Sequence, residues 1–526
     1  MRLFAMAALT LAAVATTGCS KDDEQAESTG KVVVSTTTVS LTDGTKALNS
    51  QGEKTFNTGD EVAVVYENTS GTLVKATVTL AEADISNGGK TASITVSMTD
   101  PQSNGTVKII YPAAMATAGG DVNYAALANQ DGKLTTIARS LDLALYEGSL
   151  NGTNLPDIPT LDNPLAVCEF QIKNTTGSTD LTSSVTMLYI ADGTNSYYLS
   201  GLSDLSSIWV VMKPVASSAT LTFHAAAGTT RYVKEISGKT LAAGNMYHVA
   251  VGTTQLRQGA LFGTFSVSGS KKVRFSQGNL QATFDGSSWT WAFAANQYDC
   301  IGNADGNTKV TKDSPYINGT GTVDLFGWVG ASSNFEGVAQ NGITSSTATN
   351  NVNGYGNVAT EGLKADWGTL AISNGGNTAN SGWRTLTGGS GAEWRYLFIN
   401  RSTTRSYAKA TVADKCGVIL FPDVYTHPTD LTALQSVNTS NAAYTTNIFD
   451  ATAWAKMEAA GAVFLPAAGY RGGSSVYYAG SIGYYWSSSY ASNVNAAYNV
   501  TFASVDFNLA VDNHRNYGFS VRLVCE

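Results

Sequence analysis

Apolar and polar residues alternate with a period of two through the N-terminal half of this chain. Residues 76–80 (ATVTL), 92–96 (ASITV) and 107–111 (VKIIY) follow that pattern, and 208–212 (IWVVM), 220–223 (TLTF) and 247–251 (YHVAV) continue it. Successive side chains of a strand point to opposite faces, so each run predicts a half-buried strand. Gly, Asn and Asp punctuate the runs as turns, and few stretches are long enough for a helix. The pattern predicts two antiparallel β-sandwiches. Residues 155–164 hold Pro156, Pro159 and Pro164, which neither a helix nor a central strand tolerates. A boundary is therefore expected there, with sandwiches at residues 31–155 and 160–255.

The pattern changes near residue 258. Eight of the nine tryptophans lie beyond residue 280 and only Trp209 lies before it. Strand-like pieces now mix with helix candidates at 363–372, 392–401, 430–437 and 451–460. Asp450 is the expected N-cap of the last, and Gly461 follows its end. Residues 259–526 are expected to form an α+β unit rich in Gly, Asn and Ser loops, joined to the sandwiches through 253–260.

The N-terminus adds an address. Arg2 precedes an apolar run over residues 3–15, then Thr16, Thr17, Gly18 and Cys19. The run is too short to span a bilayer and reads as a signal segment, residues 1–18. Gly18-Cys19 resembles the lipobox of bacterial lipoproteins, which implies lipidation of Cys19 and a membrane link through N-terminal lipid alone. Residues 19–30 form an acidic linker carrying Lys21, Asp22, Asp23 and Glu24. It resembles the signal that sends lipoproteins to the outer face of the outer membrane in bacteria with lipoprotein-derived fimbriae.

Composition narrows the function. Charged residues make up 14% of the chain and net charge is −8. With no basic block, nucleic acid is not an expected partner. Cys168, Cys300, Cys416 and Cys525 are too far apart for a disulfide framework. Cys168 and Cys416 read as buried strand thiols, and at most one bridge is expected among Cys300, Cys416 and Cys525. No CxxC or clustered His suggests zinc, and no cofactor is expected.

Residues 56–64 (FNTGDEVAV), 107–112 (VKIIYP) and 241–249 (LAAGNMYHV) resemble, in order and spacing, the signature strands of fimbrillin-like (Mfa-like) pilins. The resemblance covers about residues 31–254. It implies two transthyretin-like sandwiches, export as a lipoprotein, cleavage after a basic residue, and assembly with other fimbrial subunits through a donated β-strand. Thr45-Lys46-Ala47 matches the family's Thr-Arg-Ala cleavage position, with Lys46 in place of Arg. Cleavage between Lys46 and Ala47 would release the strand-like run 32–41. Lys46 also fits a plain surface turn, so both readings stand.

Residues 382–387 (GWRTLT), 392–397 (AEWRYL), 464–471 (FLPAAGYR), 483–488 (GYYWSS) and 517–524 (YGFSVRLV) carry a second resemblance. They look like the bacterial paralogous domains of the C-type-lectin-like fold, distant kin of formylglycine-generating enzymes. The implied fold class is thus multidomain: two transthyretin-like all-β sandwiches followed by an α+β C-type-lectin-like domain. Trp383, Trp394 and Trp486 are expected in the core, with Phe519 and Val521 facing inward and Arg522 pinning a carboxylate. Those enzymes use two neighbouring reactive cysteines, which this chain lacks. The Ca²⁺-loop triplets of sugar-binding lectins are also missing, so no metal is expected. The loop at residues 302–307 reads as a cation site or as solvated turns.

A recognition face is expected in the C-terminal unit. Tyr470 and Arg471 lead to Tyr477 and Tyr478, then Tyr490, Asn493 and Asn495. Asn513, His514, Arg515 and Asn516 precede the last strand. Tyrosine offers a broad rigid face with a polar tip, and Arg and Asn add directed donors. These tyrosines could equally pack beneath loops. The expected function is a fimbrial tip subunit and adhesin, located at the outer membrane and fimbrium, that binds a cell-surface glycan or protein. The alternative is a non-polymerising surface lipoprotein displaying the same domain. No nucleophile–base pair supports an enzyme.

Overall fold

The computed structural model describes residues 30–41, 54–157, 160–308, 321–328, 366–472, 475–492, 496–515 and 517–526. Cys19, Lys46, Ala47, Asn493, Asn495 and Asn516 lie outside them. So do residues 363–365 of the first helix candidate. The chain is mostly β-sheet and has several sheets that pack in pairs.

In chain order the first nine strands are β1 (Val32–Leu41), β2 (Glu61–Glu67), β3 (Leu73–Thr79), β4 (Ile85–Ser86), β5 (Thr91–Thr99), β6 (Thr106–Tyr111), β7 (Asn129–Gln130), β8 (Ala144–Ser149) and β9 (Thr160–Leu161), and all but β7 build the first sandwich. One sheet runs β4-β5-β1-β9 and the facing sheet β3-β2-β6-β8. The period-two runs became these strands because alternate positions bury. Ala92, Ile94, Val96 and Met98 of β5 meet Val39 and Leu41 of β1 in one core. The run Val62 to Tyr66 does not alternate, and β2 is accordingly buried on both faces. Val62, Val64 and Tyr66 face the first core, while Ala63 and Val65 face the next sandwich.

The motif positions of this half meet in space. Phe56 packs on Tyr111 with ring centroids 4.8 Å apart, and the Tyr111 hydroxyl donates to Asp60 at 2.6 Å. Asp60 also accepts the Asn57 amide at 2.8 Å, closing the turn at Gly59, whose φ is +89°. Beside them Lys54 and Asp142 form a buried ion pair at 2.9 Å. Burial lowers the Lys54 pKa, opposed by the neighbouring Asp142 charge.

The second sandwich follows with β10 (Ala166–Lys173), β11 (Met187–Ala191), β12 (Ser196–Ser200), β13 (Ile208–Met212), β14 (Thr220–Ala227), β15 (Thr230–Ser237), β16 (Met246–Gly252) and β17 (Thr254–Gln255). Its sheets run β13-β10-β16 and β17-β15-β14-β11-β12-β7, so β7 crosses over to join it. The proline-rich stretch is more than a linker. Thr160 and Leu161 pair in parallel with the end of β1, at the edge of its sheet.

The C-terminal unit mixes small sheets with irregular chain. One sheet runs Phe265–Ser266, Lys272–Phe275, Leu523–Cys525 and Trp383–Thr385; another orders Ile448–Phe449, Tyr407–Val412, Lys415–Leu420 and Val463–Pro466. Trp383, Trp394, Trp486, Phe519 and Val521 are all buried, as expected. Asp450 caps the helix Ala451–Ala459 by accepting the Ala453 amide at 2.7 Å. The motif residues Arg384 and Glu393 form a two-pronged ion pair, both bonds 2.8 Å.

Three expectations are corrected. Residues 430–437 are not helical. Asn447 takes both the amide and the carbonyl of Gln435, and His427 binds the Thr432 carbonyl, so tertiary bonds replace the helical ladder. Arg522 pins no carboxylate among the described residues: it donates to the Gln297 amide oxygen at 2.9 Å and to the Asn279 and Phe464 oxygens at 3.4 Å. Cys416 lies on the strand Lys415–Leu420 but is only half-buried, whereas Cys168 is buried on β10; the free thiols at Cys168, Cys300, Cys416 and Cys525 stay within the limit of one bridge.

Candidate functional site

Five tyrosines converge on one surface of the C-terminal unit. Tyr470 opens the strand Tyr470–Gly472, which pairs with Ser475–Tyr477 and sets Tyr470 opposite Tyr477. Their rings stack at 5.3 Å. Tyr470 also meets Tyr517 at 5.2 Å, Tyr484 edge-on at 5.4 Å and Tyr478 at 6.1 Å. Below them Phe519 stacks on Tyr484 at 4.8 Å and on buried Trp486 at 4.2 Å, a rigid floor. Tyr477 is 47% and Tyr478 58% exposed, and these two rings face solvent. Tyr478 takes φ +56°, a left-handed conformation uncommon for a residue of this size.

Burial raises the Tyr484 pKa to about 12 and also raises that of Tyr470, with neighbouring phenols adding to both. The hydroxyls are therefore protonated donors at neutral pH. Stacked apolar faces with donor tips suit a sugar ring or an apolar side chain rather than acid–base chemistry.

The other expected site residues divide. His514 lies edge-on to Tyr517 at 6.0 Å, at the border of the cluster. Asn513 is half-buried and donates to Asn499 at 3.1 Å. Tyr490 packs against the tryptophan-rich core. Arg471 and Arg515 are corrected: both are buried and not available to a surface ligand. Arg471 exchanges backbone bonds with Gly518, where a Cβ would come within 2.8 Å of the Leu325 carbonyl and 2.9 Å of Arg471 Cβ, which favours glycine. Its charge acts on buried Asp324. Arg515 lies over the Trp328 ring at 5.7 Å.

Tyr484 and Tyr517 were within the quoted motifs but were not read as site residues. The usable signal was the aromatic alternation Tyr517, Phe519, which puts two rings on one side of an extended segment. The 302–307 loop is held by protein groups: Asn307 donates to the Gly302 carbonyl at 3.0 Å and to buried Asp324 at 2.7 Å. Among the described residues no group of three His, Cys, Asp or Glu could hold a metal ion. Burial pushes the Cys168 thiol up to about 12 and Cys300 to about 11, away from reactive thiolates. Among the described residues no helix is long and apolar enough to cross a membrane.

Comparison with known proteins adds the following. A family described as "Domain of unknown function (DUF8237)" matches residues 430–524. No curated protein matches the chain. Among solved structures, a candidate cell adhesion protein from Bacteroides uniformis is similar at 14% identity and a TM-score of 0.25, covering 42% of this chain and 97% of its own. One from Bacteroides fragilis matches at 12% identity and 0.26, covering 49% and 97%. The minor pilin of Streptococcus agalactiae matches at 8% identity and 0.20, covering 42% and 96%.

Proposed function

We propose that this chain is a surface-displayed fimbrial subunit and adhesin, placed at the fimbrial tip. On this reading the precursor is held at the outer membrane by lipid on Cys19 and cut between Lys46 and Ala47. A neighbouring subunit then donates a strand in place of β1. The two N-terminal sandwiches are taken as transthyretin-like pilin domains and the C-terminal unit as C-type-lectin-like. That unit meets a cell-surface glycan or protein through Tyr477 and Tyr478. The chain is read as a binding protein, not an enzyme.

The observation that carries the reading is the placement of β1. It is one continuous strand, lies wholly N-terminal to Lys46, and makes a nine-pair antiparallel ladder with β5. Its loss would bare the β5 backbone edge and a groove over Ile94, Val96 and Met98, which an incoming strand could fill. A tip position is supported by β16. It is an edge strand, yet the chain continues from it into β17 and the C-terminal unit, so it is not free to be donated.

The test is N-terminal sequencing of the protein recovered from sheared surface filaments. A start at Ala47 is expected. An acylated Cys19, with no protein in the sheared fraction, would overturn the reading in favour of a non-polymerising lipoprotein.

A further inference from the structure

The hold on β1 is asymmetric. On one side it has the β5 ladder; on the other, among the described residues only Ser40 and Leu41 pair with a strand, β9. On that side the middle of β1 meets Leu155 and Pro156, the start of the proline-rich stretch, which lie in no strand. Two core-facing hydroxyls take the place of a ladder. The Leu155 amide donates to Ser35 Oγ at 2.8 Å, and Thr37 Oγ1 donates to the Pro156 carbonyl at 2.8 Å. Ser35 and Thr37 are each 6% exposed, and Leu155 is buried. Their inward-facing successors Val39 and Leu41 are aliphatic and buried. The outward positions Val32 and Val34 stand in solvent. A buried backbone group left unpaired costs more than an ordinary hydrogen bond contributes.

We infer that a strand able to replace β1 must carry Ser or Thr at the two successive inward positions now held by Ser35 and Thr37. Aliphatic residues must follow at the next two inward positions. The partner is thus a subunit whose donated strand reads hydroxyl-x-hydroxyl-x-aliphatic-x-aliphatic, and an all-aliphatic donor strand is rejected at the Leu155–Pro156 floor. This inference rests on the strand-exchange reading above and names the partner's chemistry within it.

The test separates the two ideas by running in cis and in trans. In cis, the full chain carries Thr37→Val, which keeps the shape and removes the hydroxyl. Thr38→Val, on the exposed face, is the control. Hydrogen exchange of the β1 and β5 amides reads how often β1 opens. T37V is expected to open about tenfold more often and T38V to match the parent, since a factor of ten corresponds to one such bond. Equal exchange in both variants overturns the hydroxyl requirement. In trans, the chain cleaved after Lys46 is offered a synthetic ten-residue strand with the β1 sequence, or one with valine at the Ser35 and Thr37 positions. The first is expected to bind and the second to bind about a hundredfold more weakly, two bonds being lost. Equal binding overturns the inference and leaves strand exchange standing. If neither peptide binds, strand exchange itself falls, and the partner's pattern falls with it.

Discussion

The second sandwich has two neighbours and is joined to them by opposite means. Against the first sandwich it shares one continuous apolar core. Ala63, Val65, Ile110, Met115 and Leu143 pack with Phe170, Leu188 and Val211 in a single cluster. The Gln130 side chain extends that core by bonding both the amide and the carbonyl of Val211, at 2.9 and 2.8 Å. Against the C-terminal unit the apolar cluster shrinks to Tyr189, Ala191, Ala459 and Ala460. Half-buried Met187, Tyr198 and Tyr425 pack around it, and polar bonds surround them: Tyr189 donates to the Thr426 carbonyl at 2.9 Å, Ser196 meets Thr429, and Asn129 donates to Asp430 at 2.8 Å. His224 stacks on Phe262 at 4.8 Å, and a cleft of about 510 Å³ opens beside it. A shared core makes two sandwiches one cooperative body, whereas a polar seam docks a body that folds around its own core.

The sharpest way to break this contrast is Ile110→Ala. Ile110 sits on β6 of the first sandwich but is fully buried in the shared cluster. The truncation should cost about 2–5 kcal/mol. Amide protection should fall together in β2 and β11, while residues 418–420 of the C-terminal unit keep theirs. Hydrogen exchange that leaves β11 untouched would show two independent sandwiches.

The seam should answer to pH where the core does not. His224 Nδ1 lies 2.7 Å from the Ala459 carbonyl, so that nitrogen carries the proton in the neutral ring. Burial holds the imidazole down to about 4, with the nearby Arg274 charge acting in the same direction. An unfolded histidine titrates near 6.5. The folded state therefore favours the neutral form. The contribution is fully present above pH 6.5 and is lost as pH falls through that range towards 4, on the order of 3 kcal/mol in all. Denaturation midpoints at pH 7, 5.5 and 4.5 should show this slope, and His224→Phe should flatten it. Tyr189→Phe is a smaller probe of the same seam. It removes one hydroxyl, leaves the Thr426 carbonyl unpaired, and should cost about 1 kcal/mol at any pH between 5 and 8. No loss in a thermal melt would mean that the seam closes without it.

The core was far more legible in the sequence than the seam was. Period-two alternation marks β5 because Ala92, Ile94, Val96 and Met98 bury one face along its length, and Asp450 marks a helix start by a local bond. The β2 run announced burial on both faces but not what would cover the second one. The helix expected at residues 430–437 failed because Asn447 and His427, distant or flanking in sequence, claim its backbone. Of the candidate site, Tyr470, Tyr477 and Tyr478 were found because tyrosines cluster there in sequence. Arg471 and Arg515 misled because burial of a guanidinium is decided by what surrounds it, here Gly518, Asp324 and Trp328. His224 carried no local signal at all: its partners Phe262 and Ala459 lie 38 and 235 residues away.

The smallest expected effect tests whether charge contributes to the seam. Arg231 on β15 approaches Glu458 of the helix Ala451–Ala459 at 3.4 Å. Both side chains keep some solvent access, 16% and 25%, so water screens the pair, and solvent-reached pairs contribute about 0–1 kcal/mol. Glu458 is also held by the Gln297 side-chain amide at 3.0 Å, so removing Arg231 does not strand its carboxylate. Arg231 in turn keeps the Phe262 ring, 5.7 Å away. Arg231→Gln should therefore destabilise docking by less than about 1 kcal/mol, and the deficit should shrink further between 0.05 and 0.5 M salt. A double-mutant cycle with Glu458→Gln isolates the pairwise part. A coupling above about 2 kcal/mol, insensitive to salt, would mean that the pair is desolvated when docked. The seam would then be drier and more core-like than its polar lining implies.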